Sequence, residues 1–289
     1  MRLTAAFAVA ITLSLLGTVP AHAQALAQMQ PTPQERFTAA INGINAHLGP
    51  LDTIKAPPPF SDPENRARYD AVQEAMALFG TDAFPVNGMT SFEQVCAPIN
   101  AATVKHMFVG VAALKKPDMT QEQFAALFSR AAQNNALTYQ QEMVRLTTIN
   151  LDCMSAHIPF ITQFVAGLAL DAFTGTRRDG LEKMGAGFAN AIFGLATQSL
   201  NPGSKPEVSR MAMNAALKHA PDILALTAPS VRQAFVTRMA SLEGNVPAAY
   251  RPDFLKVKTA LQDQSCSGLC ARLLQSAPPP GAPPLAPRP

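Results

Sequence analysis

The chain has 289 residues, 48% hydrophobic, 7% aromatic and only 15% charged, with 23 basic against 20 acidic side chains and a formal net charge of +3. A soluble domain carries roughly 25% charged residues. This balance gives no electrostatic footprint for nucleic acid, the apolar content is too high for a disordered chain, and 4 Cys are too few for a disulfide scaffold.

Residues 1–23 read as a secretory signal peptide. Arg2 supplies the positive start, residues 3–16 are apolar apart from Thr4, Thr12 and Ser14, and Ala21-His22-Ala23 is a small-x-small cleavage site. The apolar run is too short to span a bilayer. The mature protein is therefore expected to be periplasmic or secreted, where thiols oxidise. At the other end, residues 277–289 hold seven of the 25 prolines. Proline fixes φ and lacks an N–H, so this segment reads as an extended, solvated tail.

Between the ends the period is helical. Tyr69, Val72, Met76 and Phe79 form one stripe, Phe124, Leu127, Phe128 and Ala131 another, and Val231, Phe235, Met239 and Leu242 a third. Capping-box patterns start at Thr32, Ser61, Thr90 and Thr120. The expected helices cover about 33–48, 62–80, 91–116, 121–156, 159–174, 178–200, 205–219, 230–243 and 247–264. Pro98 is expected to kink the third and Asn134-Asn135 to interrupt the fourth. The fold class is all-α, a single bundle of about eight or nine helices. Residues 24–60 should hold a peripheral N-terminal helix and a Pro-rich linker, 61–274 the bundle, and 275–289 the tail.

Cys96, Cys153, Cys266 and Cys270 allow three pairings. In a regular helix Cys266 and Cys270 would lie about 5–6 Å apart between Cβ atoms, too far for a bridge, yet Ser265, Ser267 and Gly268 loosen that turn. A local bridge leaves Cys96 with Cys153. A straight hairpin turning near Asp118 would put those two roughly 20 Å apart in height, so this pairing needs a break in the fourth helix.

No metalloprotease, nucleophile-elbow, phosphate-loop or calcium-loop motif occurs, and no catalytic residue or metal ligand is assigned. Two soft-donor groups, Cys153-Met154 with His157 and Met211, Met213 with His219, come nearest to a copper site, but methionine is a common core filler. No cofactor is expected.

The most unusual stretch is 158–204. Two uncharged runs, 158–170 and 184–204, flank a charged turn holding Asp171, Arg177, Arg178, Asp179, Glu182 and Lys183, and Gly187-x3-Ala191 suggests close helix packing. Phe160, Phe164, Leu168, Phe188, Ile192 and Phe193 are the candidates for an apolar ligand cavity or a hydrophobic hairpin. The expected function is a non-enzymatic envelope module that binds a partner protein or an apolar small molecule. The alternatives are an enzyme with an unrecognised helical site, gathering His106 or His157 with an acid such as Asp152, and a membrane-active protein that inserts 158–204.

Overall fold

The computed structural model describes residues 31–51, 53–111, 114, 116, 118–169 and 175–275. The expected signal peptide, the Pro-rich tail and the hairpin turn at 170–174 lie outside them. Among the described residues the fold is all-helical, with no strand and only isolated bridges joining Phe84 to Phe79 and Thr81. No helix of the described residues is long and apolar enough to cross a membrane.

Helix α1 (Pro33–Leu48) buries Phe37, Ile41, Ile44 and Leu48, one side chain per turn along a single stripe. It ends at Gly49, whose φ of 78° suits a residue without a Cβ. That stripe packs into the same core as α2 (Pro63–Met76), so the N-terminal helix is not peripheral as expected. Asp62, rather than Ser61, caps α2: its carboxylate accepts the Asn65 N–H at 2.8 Å. The helix stops at Met76, short of the expected Gly80, and residues beyond it curl into the Phe79–Phe84 turn.

The expected 91–116 helix is three pieces. A single turn, α3 (Gly88–Ser91), leads through a π-helical segment (Phe92–Cys96) into α4 (Ala97–Phe108). Thr90 therefore sits inside a helical turn and not at a cap. The widened turn immediately precedes Pro98, whose ring cannot sit over the carbonyl four residues back.

Helix α5 (Gln121–Thr138) opens on the expected box: Thr120 caps the Gln123 N–H and Gln123 reaches back. It buries no residue and leans on α4 through Phe128 against Phe108, with ring centroids 4.5 Å apart. The break expected at Asn134-Asn135 falls instead at Tyr139. Asn135 is a clamp: its amide donates to the Met107 and Val109 carbonyls, both at 2.9 Å. Helix α6 (Gln140–Ala166) then runs straight through Pro159, where two helices were expected. Tertiary packing of Ile158, Ile161 and Val165 offsets the hydrogen bond that proline removes.

Helix α6 is the spine. Val144, Leu151 and Val165 face a C-terminal core, while Leu146, Ile149 and Cys153 face an N-terminal one. The C-terminal core is completed by α7 (Thr176–Ala196), α8 (Pro206–His219), the short α9 (Ile223–Leu226), α10 (Pro229–Leu242), α11 (Arg251–Gln262) and α12 (Leu269–Gln275). Pro206, Pro229 and Pro252 stand in the first turns of α8, α10 and α11, where the missing N–H removes no helix bond. Arg232 of α10 is fully buried and donates to the carbonyls of Leu224, Thr227, Asp263 and Ser265, holding two loops together.

Candidate functional site

The six hairpin candidates do not share one place. Phe188, Ile192 and Phe193 of α7 are packed into the C-terminal core, and Leu168 rests on its edge. Phe160 turns the other way and lies against Gly88, where an added Cβ would meet its ring at 3.0 Å. Phe164, one turn further along the same face of α6, is 57% exposed. Met89, beside Gly88, is 56% exposed.

The cysteines form two disulfides, Cys96–Cys153 with Cα atoms 5.7 Å apart and Cys266–Cys270 at 5.2 Å. The first ties the π-helical segment to α6, and the break at Tyr139 removes the height mismatch of a straight hairpin. The second closes where the chain leaves α11 and Gly268 takes a positive φ of 58°. His157 is buried against the first bridge, its Nδ1 lying 2.8 Å from the Cys153 carbonyl and 3.5 Å from the Cys96 Sγ. The donor atoms of Cys96, Cys153 and His157 lie within 4.8 Å of one another, but the two sulfurs are bonded to each other and Met154 packs toward the opposite core. His106 sits apart from both, its Nε2 2.9 Å from the Tyr69 hydroxyl. Neither His106 nor His157 meets Asp152.

Asp152 meets His219 instead. Asp152 and Ser155 stand three residues apart on α6, and His219, the last residue of α8, stands three before Asp222 in the 3-10 turn Ala220–Asp222 that follows. Each pair faces one way, and the two helices bring them together. Ser155 Oγ donates to Asp222 Oδ2 at 2.6 Å and lies 3.0 Å from His219 Nδ1. His219 Nδ1 is 3.2 Å from Asp222 Oδ2, and its Nε2 is 2.9 Å from Asp152 Oδ1. The Nε2–H does not point along that last line, so this is an ion pair and not a linear hydrogen bond. Lys218 pairs with the same Asp152 oxygen. The group lines a cleft of about 420 Å³ with Gln73, Met76, Ala77 and Phe79.

The charges fit one another. Burial pulls the His219 pKa down, but the Asp152 carboxylate beside Nε2 and the Asp222 carboxylate beside Nδ1 outweigh it, and the net shift is upward. Burial pushes Asp152 and Asp222 up, but bonds to His219, with Lys218 on Asp152 and Ser155 on Asp222, bring both below the usual carboxylate range. Two carboxylates thus flank the two ring nitrogens of His219 beside an ammonium and favour the charged imidazole. Ser155 accepts from His219 and gives its proton to Asp222, the reverse of a serine activated by histidine.

Sequence reasoning assigned Asp152 to the wrong histidine and did not single out Ser155 or Asp222. The available signal was the pair of three-residue spacings, Asp152 to Ser155 and His219 to Asp222. Comparison of the chain with family models, curated proteins and solved structures finds no match.

Proposed function

We propose that this protein is an exported, non-enzymatic helical module of the cell envelope that docks a partner protein. The observation that carries the reading is Phe164, a large aromatic side chain left 57% exposed on α6 one turn from Phe160, which itself lies against Gly88 next to the equally open Met89. Aromatic anchors of this kind dominate protein interfaces, and methionine adapts to a partner's contour. Packing of Phe188, Ile192 and Phe193 into the core favours a protein partner over an apolar small molecule. Two disulfides suit the oxidising surroundings of an exported chain. A photo-crosslinking amino acid at position 164, in cells exporting the protein, should give one discrete adduct that the same probe at exposed Gln133 does not. The same pattern from both positions, or no adduct, would defeat the proposal.

An enzymatic reading draws on one observation, the Ser155–His219–Asp152 line at the cleft. A serine-directed fluorophosphonate should leave Ser155 unlabelled, because Ser155 gives its proton to Asp222 and His219 is held between two carboxylates. Stoichiometric labelling of Ser155 would favour the enzyme.

A further inference from the structure

The Cys96–Cys153 bridge accounts for two buried cysteines but not for the histidine beside them. His157 follows Cys153 by one turn of α6 and is wholly buried, with the Phe79 and Phe92 rings 5.6 and 5.8 Å away between centroids. Its Nδ1 meets the Cys153 carbonyl at 2.8 Å, while its Nε2 is buried with no hydrogen-bond partner. The ring is one partner short whichever nitrogen holds the proton. On Nδ1 the proton goes to the carbonyl and leaves a dry lone pair on Nε2. On Nε2 it finds no acceptor, and the Nδ1 lone pair then faces the carbonyl oxygen. An aliphatic side chain would fill the same space without that cost. A ring held by a backbone carbonyl through one nitrogen, with the other bare, is the usual state of a metal-binding histidine.

The other donors are at hand. Cys96 Sγ lies 3.5 Å from Nδ1, and the donor atoms of Cys96, Cys153 and His157 fall within 4.8 Å of one another. Among the described residues no other three His, Cys, Asp or Glu side chains gather so closely. We propose that the dithiol form of Cys96 and Cys153, together with His157, binds one Cu(I) ion. Thiolates select soft ions, Cu(I) or Zn2+, over hard ones. Zn2+ takes four ligands in a closed site. Here three donors stand behind Phe79 and Phe92 and no fourth joins them, which suits Cu(I), an ion satisfied by three. Half-buried Phe79 also lines the cleft of Asp152 and His219, where the Met76 thioether offers a soft donor on the way in.

Two steps separate the bridge from the metal site. A phosphine reductant takes oxygen from water and becomes its oxide. Its electron pair breaks the S–S bond, and the two water protons go to the sulfurs. Cu(I) then bonds to each sulfur and to the ring nitrogen that holds no proton, displacing both thiol protons to solvent. No electron moves in the second step. Disulfide and metal site are therefore alternative states of one place. This site does not rest on docking at Phe164, and failure of one leaves the other standing.

The test reduces the full chain with tris(2-carboxyethyl)phosphine under argon and adds Cu(I) as its acetonitrile complex, against a bathocuproine competitor. Cys266→Ala/Cys270→Ala, which leaves Cys96 and Cys153 as the only thiols, should hold one Cu(I) per chain. X-ray absorption should show two sulfurs and one nitrogen on the metal. Cu(I) should raise the Tm of the reduced protein, because it binds the folded state. Where reduction unfolds the chain, Cu(I) should restore its helical circular dichroism. His157→Phe in the same background should weaken binding at least about tenfold, and its disulfide form, melted without metal, reports on the fold separately. Further replacement of Cys96 and Cys153 by Ser should abolish binding, and the disulfide-bonded protein should retain no copper. A spectrum with sulfur alone, undiminished binding by His157→Phe, or a reduced chain that Cu(I) neither stabilises nor refolds would each overturn the site. A rise in Tm with Zn2+ as large as with Cu(I) would overturn the choice of ion.

Discussion

The two cores that share α6 are built on opposite plans. The N-terminal core is made of large side chains: Phe37 packs on Phe84 at 5.8 Å between centroids, and Phe79 on Phe84 at 5.0 Å, among Ile41, Ile44, Ile99, Leu146 and Ile149. Its backbone is irregular, with a π-helical segment, a proline-rich connection and the Phe79–Phe84 turn, and the Cys96–Cys153 bridge crosses its middle. The C-terminal core interleaves large side chains such as Phe188, Phe235 and Phe254 with small ones, Ala189, Ala196, Ala212, Ala215, Ala216 and Ala220 all being buried. At Gly185 a Cβ would stand 2.5 Å from the Leu226 carbonyl oxygen, so α7 and α9 touch backbone to backbone. Bulky residues over irregular backbone gain from a covalent tie, while close helix packing gains from the absence of side chains. The difference teaches where each half is vulnerable.

The largest expected effect separates the bridges. Closing a loop across 57 residues removes far more unfolded-chain freedom than closing one across 4. Replacing Cys96 and Cys153 together by Ala should cost about 4 kcal/mol in urea denaturation, and replacing Cys266 and Cys270 about 2 kcal/mol. Equal losses would break the contrast, because they would mean that the C-terminal half depends on its covalent tie as heavily. A smaller effect sharpens it on the other side. Gly185→Ala should cost about 1–3 kcal/mol by overpacking against Leu226. Gly187→Ala, with nothing within 4 Å of the added carbon, should stabilise α7 by about 0.5–1 kcal/mol. Matching melting shifts for the two would refute the close contact.

That pair of glycines also shows how far the sequence could be read. The small-residue spacing of Gly187 and Ala191 suggested the packing face, yet the close approach is at Gly185, two residues earlier, because composition reveals that small residues are present and not which way they turn. Local signals were legible: the Thr120 box is complete within four residues, and the helical period needs only one stripe. Asn135 was not, since an asparagine inside a helix reads as an interruption until its partners, 26 and 28 residues back, are known. Pro159 misled for the same reason, because the contacts that keep α6 continuous come from other helices. Of the polar cluster, each half was visible as a three-residue spacing. That α6 and α8 lie side by side is a property of the folded core, and no local pattern encodes it.

A further small effect concerns that junction. The raised His219 pKa contributes stability that is fully present below its unfolded value of about 6.5 and is lost as pH rises through the folded value. The depressed Asp152 and Asp222 values contribute stability present above about 4 and lost as pH falls through theirs. The clip between α6 and α8 is therefore strongest on the acid side of neutrality. Wild type should lose about 1 kcal/mol relative to His219→Gln between pH 6 and pH 9 in thermal melts, because the glutamine variant has no imidazolium to discharge. Parallel pH profiles for the two proteins would show that the imidazolium does not hold the helices together. A separation between them assigns the pH sensitivity to the α6–α8 junction, because the substitution touches only that cluster, while burial holds His106 in the N-terminal core below its ordinary pKa.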